Sequence, residues 1–229
     1  MNKSFYTRAG KRCFDMAAAG LGLFLLLPFF LLVALLVKLS SRGPVFFRQM
    51  RVGKSGRPFP MYKFRSMREG AHLGSLLTAA GDPRVTAVGA WLRRTKIDEL
   101  PQLLNVLLGH MSLVGPRPEV PRFVAQLTEK QRGVLDVRPG ITGPSVIPRE
   151  EELLANSENK ETFYLTVVLP AKLEIDLRYC ENISFQTDSH ILYQTFVTLL
   201  IGVHDPYKSL LHIANRPFET AGVAERKNH

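Results

Sequence analysis

Cysteine is nearly absent. Cys13 and Cys180 are the only two in 229 residues, too few for a disulfide framework, and they fit a reducing compartment. Histidines are sparse: His110, His190, His204 and His212 stand alone, without metal-site spacing. No Gly-x-Ser-x-Gly elbow occurs, and no Cys–His pair points to a thiol nucleophile. Gly53-Lys54-Ser55 is not a phosphate loop, because Arg48 stands where the Walker pattern needs its first glycine. There is no internal repeat and no low-complexity tract. Apolar residues at 45% and charged residues at 22% exclude wholesale disorder, and the length suits one domain with a real core.

Acidic residues are missing where basic ones gather. Residues 1–70 hold thirteen Lys and Arg against Asp15 and Glu69 alone, whereas the rest holds seventeen basic and eighteen acidic residues. The net charge of +10 therefore lies entirely in the first third. That third also contains the longest uncharged apolar run, the 22 positions from Met16 to Val37. Basic residues beside an apolar run suit an anionic lipid surface better than a nucleic-acid groove, so nucleic acid is not expected as a partner.

A helix over Met16–Val37 would be about 33 Å long, enough for the hydrocarbon of a bilayer. The run is too long for a cleaved signal peptide and lacks a small-residue cleavage site. A crossing helix is the default reading. Two features oppose it: Pro28 interrupts the run, and both flanks are basic, with Lys3, Arg8, Lys11 and Arg12 before and Lys38, Arg42, Arg48, Arg51 and Lys54 after. A helix broken at Pro28 that dips in and returns keeps both clusters on one side.

After Gly43-Pro44, Val45–Val52 and Phe59–Phe64 read as a hairpin around Gly53–Gly56. Asp82-Pro83 reads as a helix start, with Val85, Val88 and Leu92 as its apolar stripe; the helix reads equally as an ordinary core helix or as one flat on the membrane, with Trp91 at the headgroups and Arg93, Arg94 and Lys96 towards lipid phosphates. A second helix is expected from Asp98 to about Leu108, ended by Gly109. Ser112–Gly115 and Val137–Ile147 read as loop or strand, Glu150–Ala155 as helix, and Gln186–Gly202 as a final helix. The fold expected is α+β and mostly helical: a re-entrant membrane helix over 1–42, a catalytic domain over 43–202 with amphipathic interfacial helices and a small β-hairpin, and a tail of unknown role over 203–229.

Two constellations carry chemistry. Asp98-Glu99 places two carboxylates side by side; they repel, so one needs a cation, and an ionised one can attack phosphorus. Taken alone, such a pair at a helix start is usually a cap. Arginines in stiff turns form the second: Gly115-Pro116-Arg117-Pro118, Arg138-Pro139-Gly140 and, at the hairpin end, Lys63-Phe64-Arg65 present forks suited to phosphate. Together with the apolar run they point to phosphate chemistry at a membrane surface.

Ordered blocks then carry a resemblance. Asp82-Pro83-Arg84, Leu92-Arg93-Arg94-Thr95, Asp98-Glu99-Leu100-Pro101-Gln102-Leu103, Asn105-Val106 and Met111-Ser112-Leu113-Val114-Gly115-Pro116-Arg117-Pro118-Glu119 resemble the core of bacterial monotopic phosphoglycosyl transferases, the bacterial sugar transferase family. Tyr62–Met67, Arg138–Gly143, Asp176-Leu177-Arg178-Tyr179, Ser184 and Asp188 belong to the same pattern, from about Lys11 to Gly202. The match is to the minimal form, without an extra N-terminal membrane domain.

The resemblance implies an enzyme on the cytoplasmic face of the bacterial inner membrane. It would move a phospho-sugar from a UDP-sugar to polyprenol (undecaprenyl) phosphate and release UMP, with Pro28 breaking a re-entrant helix. Asp98 would attack the β-phosphate with Mg2+ bound there, giving a covalent intermediate in a ping-pong cycle, and Glu99 would assist. Lys63, Arg65 and Arg117 match phosphate-site positions, and Arg93 matches the arginine associated with the lipid phosphate. Arg138 and Thr142 would shape the nucleotide-sugar pocket. A homodimer is left open. One departure stands out: Pro144–Arg149 replaces a commonly different stretch, with Arg149 as the candidate for a displaced arginine, so the identity of the sugar transfers least. A membrane-anchored scaffold without turnover is the competing reading.

Overall fold

The computed structural model describes residues 6–70, 77–146, 150–155 and 157–201. Arg149 and the 203–229 tail lie outside them. The elements in chain order are helix α1 (Lys11–Ser40), strands β1 (Phe46–Val52) and β2 (Pro58–Phe64), helices α2 (Ala87–Arg94) and α3 (Gln102–Leu107), strand β3 (Ser112–Val114), helix α4 (Pro121–Val124), strand β4 (Gly140–Thr142), and helices α5 (Glu150–Ala155), α6 (Lys160–Phe163), α7 (Leu169–Glu181) and α8 (Phe185–Ile201). The result is mostly helical, with an antiparallel hairpin β1–β2 and a two-stranded parallel pair β3–β4.

Helix α1 is one element of 30 residues with Pro28 inside it, so the expected division into two helices is not seen. Proline removes one hydrogen bond and crowds the preceding turn. Packing on either side holds the two halves together: Ala19 joins Phe59, Met61, Val106 and Met111, while Val33 and Val37 join Phe64 and Leu92. Asp15, Ala19, Val33 and Val37 are buried on one stripe at helical spacing, so α1 lies against the body along most of its length. It packs directly on α2, α3 and β3. At ~1.5 Å per residue it is about 45 Å long. It is apolar enough to cross a membrane, with mean hydropathy 2.8 over a window only 11% buried. The outward side carries Leu21, Phe24, Leu25, Leu31, Leu32 and Leu35, all exposed.

Polar anchors fix both ends. Near the N-terminus, Arg12 donates to the carbonyls of Val106 (2.6 Å) and Leu107 (3.1 Å), and Asp15 accepts from Ser112 Oγ (2.7 Å) and the Leu113 N–H (3.1 Å). At the other end, Arg65 donates to the carbonyls of Ser41 and Arg42, both at 2.7 Å, and of Val37 at 3.3 Å. The last carbonyls of a helix lack partners within it, and a guanidinium supplies donors and favourable charge.

The expected hairpin β1–β2 forms, with Phe46 opposite Phe64 and Val52 opposite Pro58. Helix α2 starts later than expected. Asp82 instead binds Arg84 in a turn, and Thr86 caps the helix by accepting from the Gly89 N–H. Gly89 has to be glycine, since a Cβ there would lie 1.9 Å from the Ser66 carbonyl oxygen. Helix α3 likewise starts at Gln102, after a separate 3-10 turn at Ile97–Glu99. Helix α7, which the sequence reading did not assign, opens with Pro170 in its first turn and buries Leu169, Leu173 and Tyr179.

Candidate active site

The site is assembled from four short segments. The fully buried Asn105 on α3 accepts from the Tyr62 N–H (3.0 Å) and donates to the Pro60 carbonyl (2.7 Å), fixing β2 next to α3. Lys63 therefore projects from β2 beside the Ile97–Glu99 turn. Arg117 comes from the turn after β3, clamped by backbone contact with β4: Gly115 N–H donates to the Thr142 carbonyl and Gly140 N–H to the Pro116 carbonyl, both at 2.9 Å. A Cβ on Gly140 would sit 2.1 Å from the Gly115 nitrogen, so only glycine allows this approach. Arg51 backs the same turn, donating to the Pro118 carbonyl at 2.9 Å.

Glu99 is the electrostatic centre. Its Oε1 accepts from Lys63 Nζ (2.8 Å) and Arg117 Nη2 (2.7 Å), and its Oε2 from Arg117 Nη1 (3.3 Å). Burial alone would raise its pKa; the Arg117 and Lys63 charges outweigh that and hold it well below the usual carboxylate range. Asp98 is the opposite case. It is 3% exposed, and its Oδ1 has no hydrogen-bond partner. Burial raises its pKa against the pull of Lys63, and the Glu99 charge raises it further. Neighbouring carboxylates held apart in this way suit separate roles. Asp98 makes no helix cap: Pro101 precedes α3, and Lys96, in the left-handed region at φ 58°, turns the chain into the 97–99 turn.

The turn faces an open cleft of about 2240 Å3, lined by Lys63, Arg93, Lys96, Glu99, Arg117 and Thr142 among others. Asp98 does not itself line it, but four groups that act on its charge, Lys63, Glu99, Arg93 and Lys96, all do. Further along, Leu100, Leu103, Leu113, Ile141 and Leu192 make the wall apolar. Among the described residues no group of three metal-binding side chains exists, so a protein cage for a cation does not fit. A cation held by one unpartnered carboxylate together with substrate phosphates does fit, and that is how Mg2+ is commonly bound.

A family model described as bacterial sugar transferase matches residues 6–202. The chain belongs to the bacterial sugar transferase family. It is 40% identical over 203 residues to the exopolysaccharide production protein PSS of Rhizobium leguminosarum bv. phaseoli, covering 83% of this chain and 94% of that one. It is 40% identical over 198 residues to a UDP-N-acetylgalactosamine-undecaprenyl-phosphate N-acetylgalactosaminephosphotransferase of Aeromonas hydrophila, covering 84% of this chain and 44% of the relative. With the UDP-glucose:undecaprenyl-phosphate glucose-1-phosphate transferase of Escherichia coli K12 the identity is 42% over 190 residues, 81% of this chain and 39% of the relative. The chain thus spans nearly all of the first relative and less than half of the other two.

In this sugar transferase fold, Lys63, Arg117 and Glu99 are brought together next to Asp98, and Arg93 and Thr142 line the same cleft. Two of the expected site residues also hold the scaffold together. Arg65 directs its Nη donors to the end of α1, as described. Arg138 donates its Nε to the Gly109 carbonyl at 2.9 Å, joining Arg12 at the end of α3. Both arginines are engaged by helix-terminal carbonyls, and Arg65 also lines the cleft, its Nε without a hydrogen-bond partner. Thr142 is buried, its hydroxyl bonded to Thr195 at 2.7 Å. The sequence reading missed Glu150 and Glu151. Glu150 pairs with the buried Lys172 (2.9 Å) and Glu151 with Arg93; the sequence placed both only in a helix.

Proposed function

We propose that this transferase moves a sugar 1-phosphate from a UDP-sugar to undecaprenyl phosphate, at the cytoplasmic face of a bacterial inner membrane, as an early membrane step of glycoconjugate synthesis. The observation that carries the reading is the pairing of an unpartnered buried carboxylate, Asp98, with a Glu99 locked by Lys63 and Arg117, on a cation-lined cleft beside a long apolar helix. The relatives' names supply the donor and acceptor classes.

The chemistry runs in two displacements. An Asp98 carboxylate oxygen, rotated onto the cleft wall, attacks the β-phosphorus of the UDP-sugar. The Asp98–phosphorus bond forms, the bridging oxygen–phosphorus bond breaks, and UMP leaves with that oxygen. A phosphate oxygen of undecaprenyl phosphate then attacks the same phosphorus and releases the Asp98 carboxylate, a ping-pong cycle. Lys63 and Arg117 stabilise charge developing on the transferred phosphoryl oxygens, and Glu99 fixes both cations in place beforehand. Arg93 takes the lipid phosphate. Mg2+ bound by Asp98 with the substrate phosphates would offset the repulsion between carboxylate and diphosphate.

The packing of α1 supports a monotopic membrane arrangement. Anchors at Arg12, Asp15 and Arg65 tie both ends to one body. A helix crossing the bilayer would carry one end away from that body. A monotopic placement, with the outward leucines in lipid and both ends on the same side, keeps every anchor. Purified protein in neutral micelles, given a panel of UDP-sugars with undecaprenyl phosphate and Mg2+, should release UMP with at least one donor. No release with any donor would favour the scaffold reading.

A further inference from the structure

Arg93 faces the cleft already paired. Its Nε donates to Glu151 Oε1 at 2.9 Å, its Nη2 donates to the same oxygen, and its Nη1 reaches Ser66 Oγ at 3.5 Å. The helix that presents Glu151 is held by other contacts. Leu154 sits in the largest apolar cluster, Glu150 Oε2 accepts from Lys172 at 2.9 Å, and the Ala80 N–H donates to the Glu151 carbonyl at 3.0 Å. A carboxylate is thus delivered to a cleft arginine from a helix anchored elsewhere. The arginine fork accepts carboxylate and phosphate with the same geometry. The pair is partly open to solvent, with side chains 20% and 35% exposed, so it is weak enough to exchange.

We propose that Glu151 is a built-in competitor for the anion that Arg93 takes, so that a phosphate reaches Arg93 only by displacing this carboxylate. The inference rests on the reading of Arg93 as the ligand of the lipid phosphate. Its consequence is selectivity by threshold. Anionic phosphodiester headgroups carry one charge and bind an arginine weakly, while a phosphomonoester carries about −1.5 to −2 and offers three acceptor oxygens. Displacement is a common cost to every anion, since it multiplies each affinity by the same fraction of competent sites. Weak, abundant headgroups then leave Arg93 unoccupied and the monoester still binds.

Binding at this site is read by isothermal titration calorimetry, without turnover. The full chain in neutral micelles is titrated with decyl phosphate and with dihexanoyl phosphatidylglycerol. Glu151→Gln should bind both about two- to fivefold more tightly, by the same factor for each. Glu151→Ala should move affinity in the same direction. Glu174→Gln, which removes an equal charge from an exposed pair with Arg178, should change nothing. Arg93→Gln should abolish the gain. Unchanged or weaker binding in both Glu151 variants, no binding of either probe by any form, a gain in Glu174→Gln, or a gain that survives Arg93→Gln overturns the proposal. UMP release is scored separately. Release without the Glu151 effect removes this inference alone, and the Glu151 effect without release removes the transferase reading alone.

Discussion

Replacing Arg117 with Gln tests the electrostatic design of the site. Wild-type Glu99 is 8% exposed and carries its charge against three hydrogen bonds from Lys63 and Arg117. The variant removes the two bonds from Arg117 and leaves a buried carboxylate with Lys63 alone. Breaking a buried ion pair from one side costs about 3–5 kcal/mol. The Arg117 side chain is 26% exposed and Lys63 stays, which lowers the expected loss to about 2–3 kcal/mol. For a chain of this size that corresponds to a fall in Tm of roughly 4–12 °C. Adding Glu99→Gln removes the stranded charge, so the double variant should recover part of the loss, with a coupling of about 1–3 kcal/mol. Thermal unfolding of the four proteins in the same micelles measures the cycle. A single-variant loss under 2 °C with additive effects in the double would refute the claim that Arg117 holds the Glu99 charge.

Further predictions follow from the same packing. Burial pushes the Asp176 carboxyl up to about 7, against the pull of Ser145 and Lys172. The native state therefore binds this proton more tightly than the unfolded chain. Its stabilising effect is full below about pH 4 and is lost as pH rises through about 7, so Asp176→Asn should flatten the fall in Tm over that range. Gly140→Ala should abolish UMP release and lower Tm by more than 10 °C, because the new methyl meets the Gly115 backbone; a normal Tm would contradict the close approach. Cysteines at Ala9 and Arg42, with Cys13 and Cys180 changed to serine, should label from the same side of sealed vesicles. Labelling from opposite sides would mean a crossing helix.

Much of the local structure was written in the chain. The Gly53–Gly56 turn marked the hairpin, and the Gly/Pro-rich blocks marked the stiff turns that present Arg117 and Arg138, but not the pairing of β3 with β4. The start of α2 was misplaced because Asp82 finds a partner in Arg84, and Thr86 then takes the cap; both residues carry cap chemistry, and only the fold decides between them. Arg65 and Arg138 were read as phosphate ligands because stiff loops present them. The carbonyls they bind at the ends of α1 and α3 were not legible, because those demands arise only when distant segments meet. Glu151 on Arg93 was invisible for the same reason, since 58 residues separate them. Asp98 and Glu99 were legible as a pair, but not their division into an unpartnered and a locked carboxylate, which depends on where Lys63 and Arg117 land.

The most direct test of the central claim is intact-protein and peptide mass spectrometry after brief incubation with a UDP-sugar and Mg2+, with no polyprenol phosphate added. The account predicts one sugar-phosphate adduct on the peptide containing Asp98, discharged when undecaprenyl phosphate is supplied and absent from Asp98→Asn. An adduct that persists in Asp98→Asn, or UMP release from wild type that requires the lipid and leaves no adduct at any time, would contradict it.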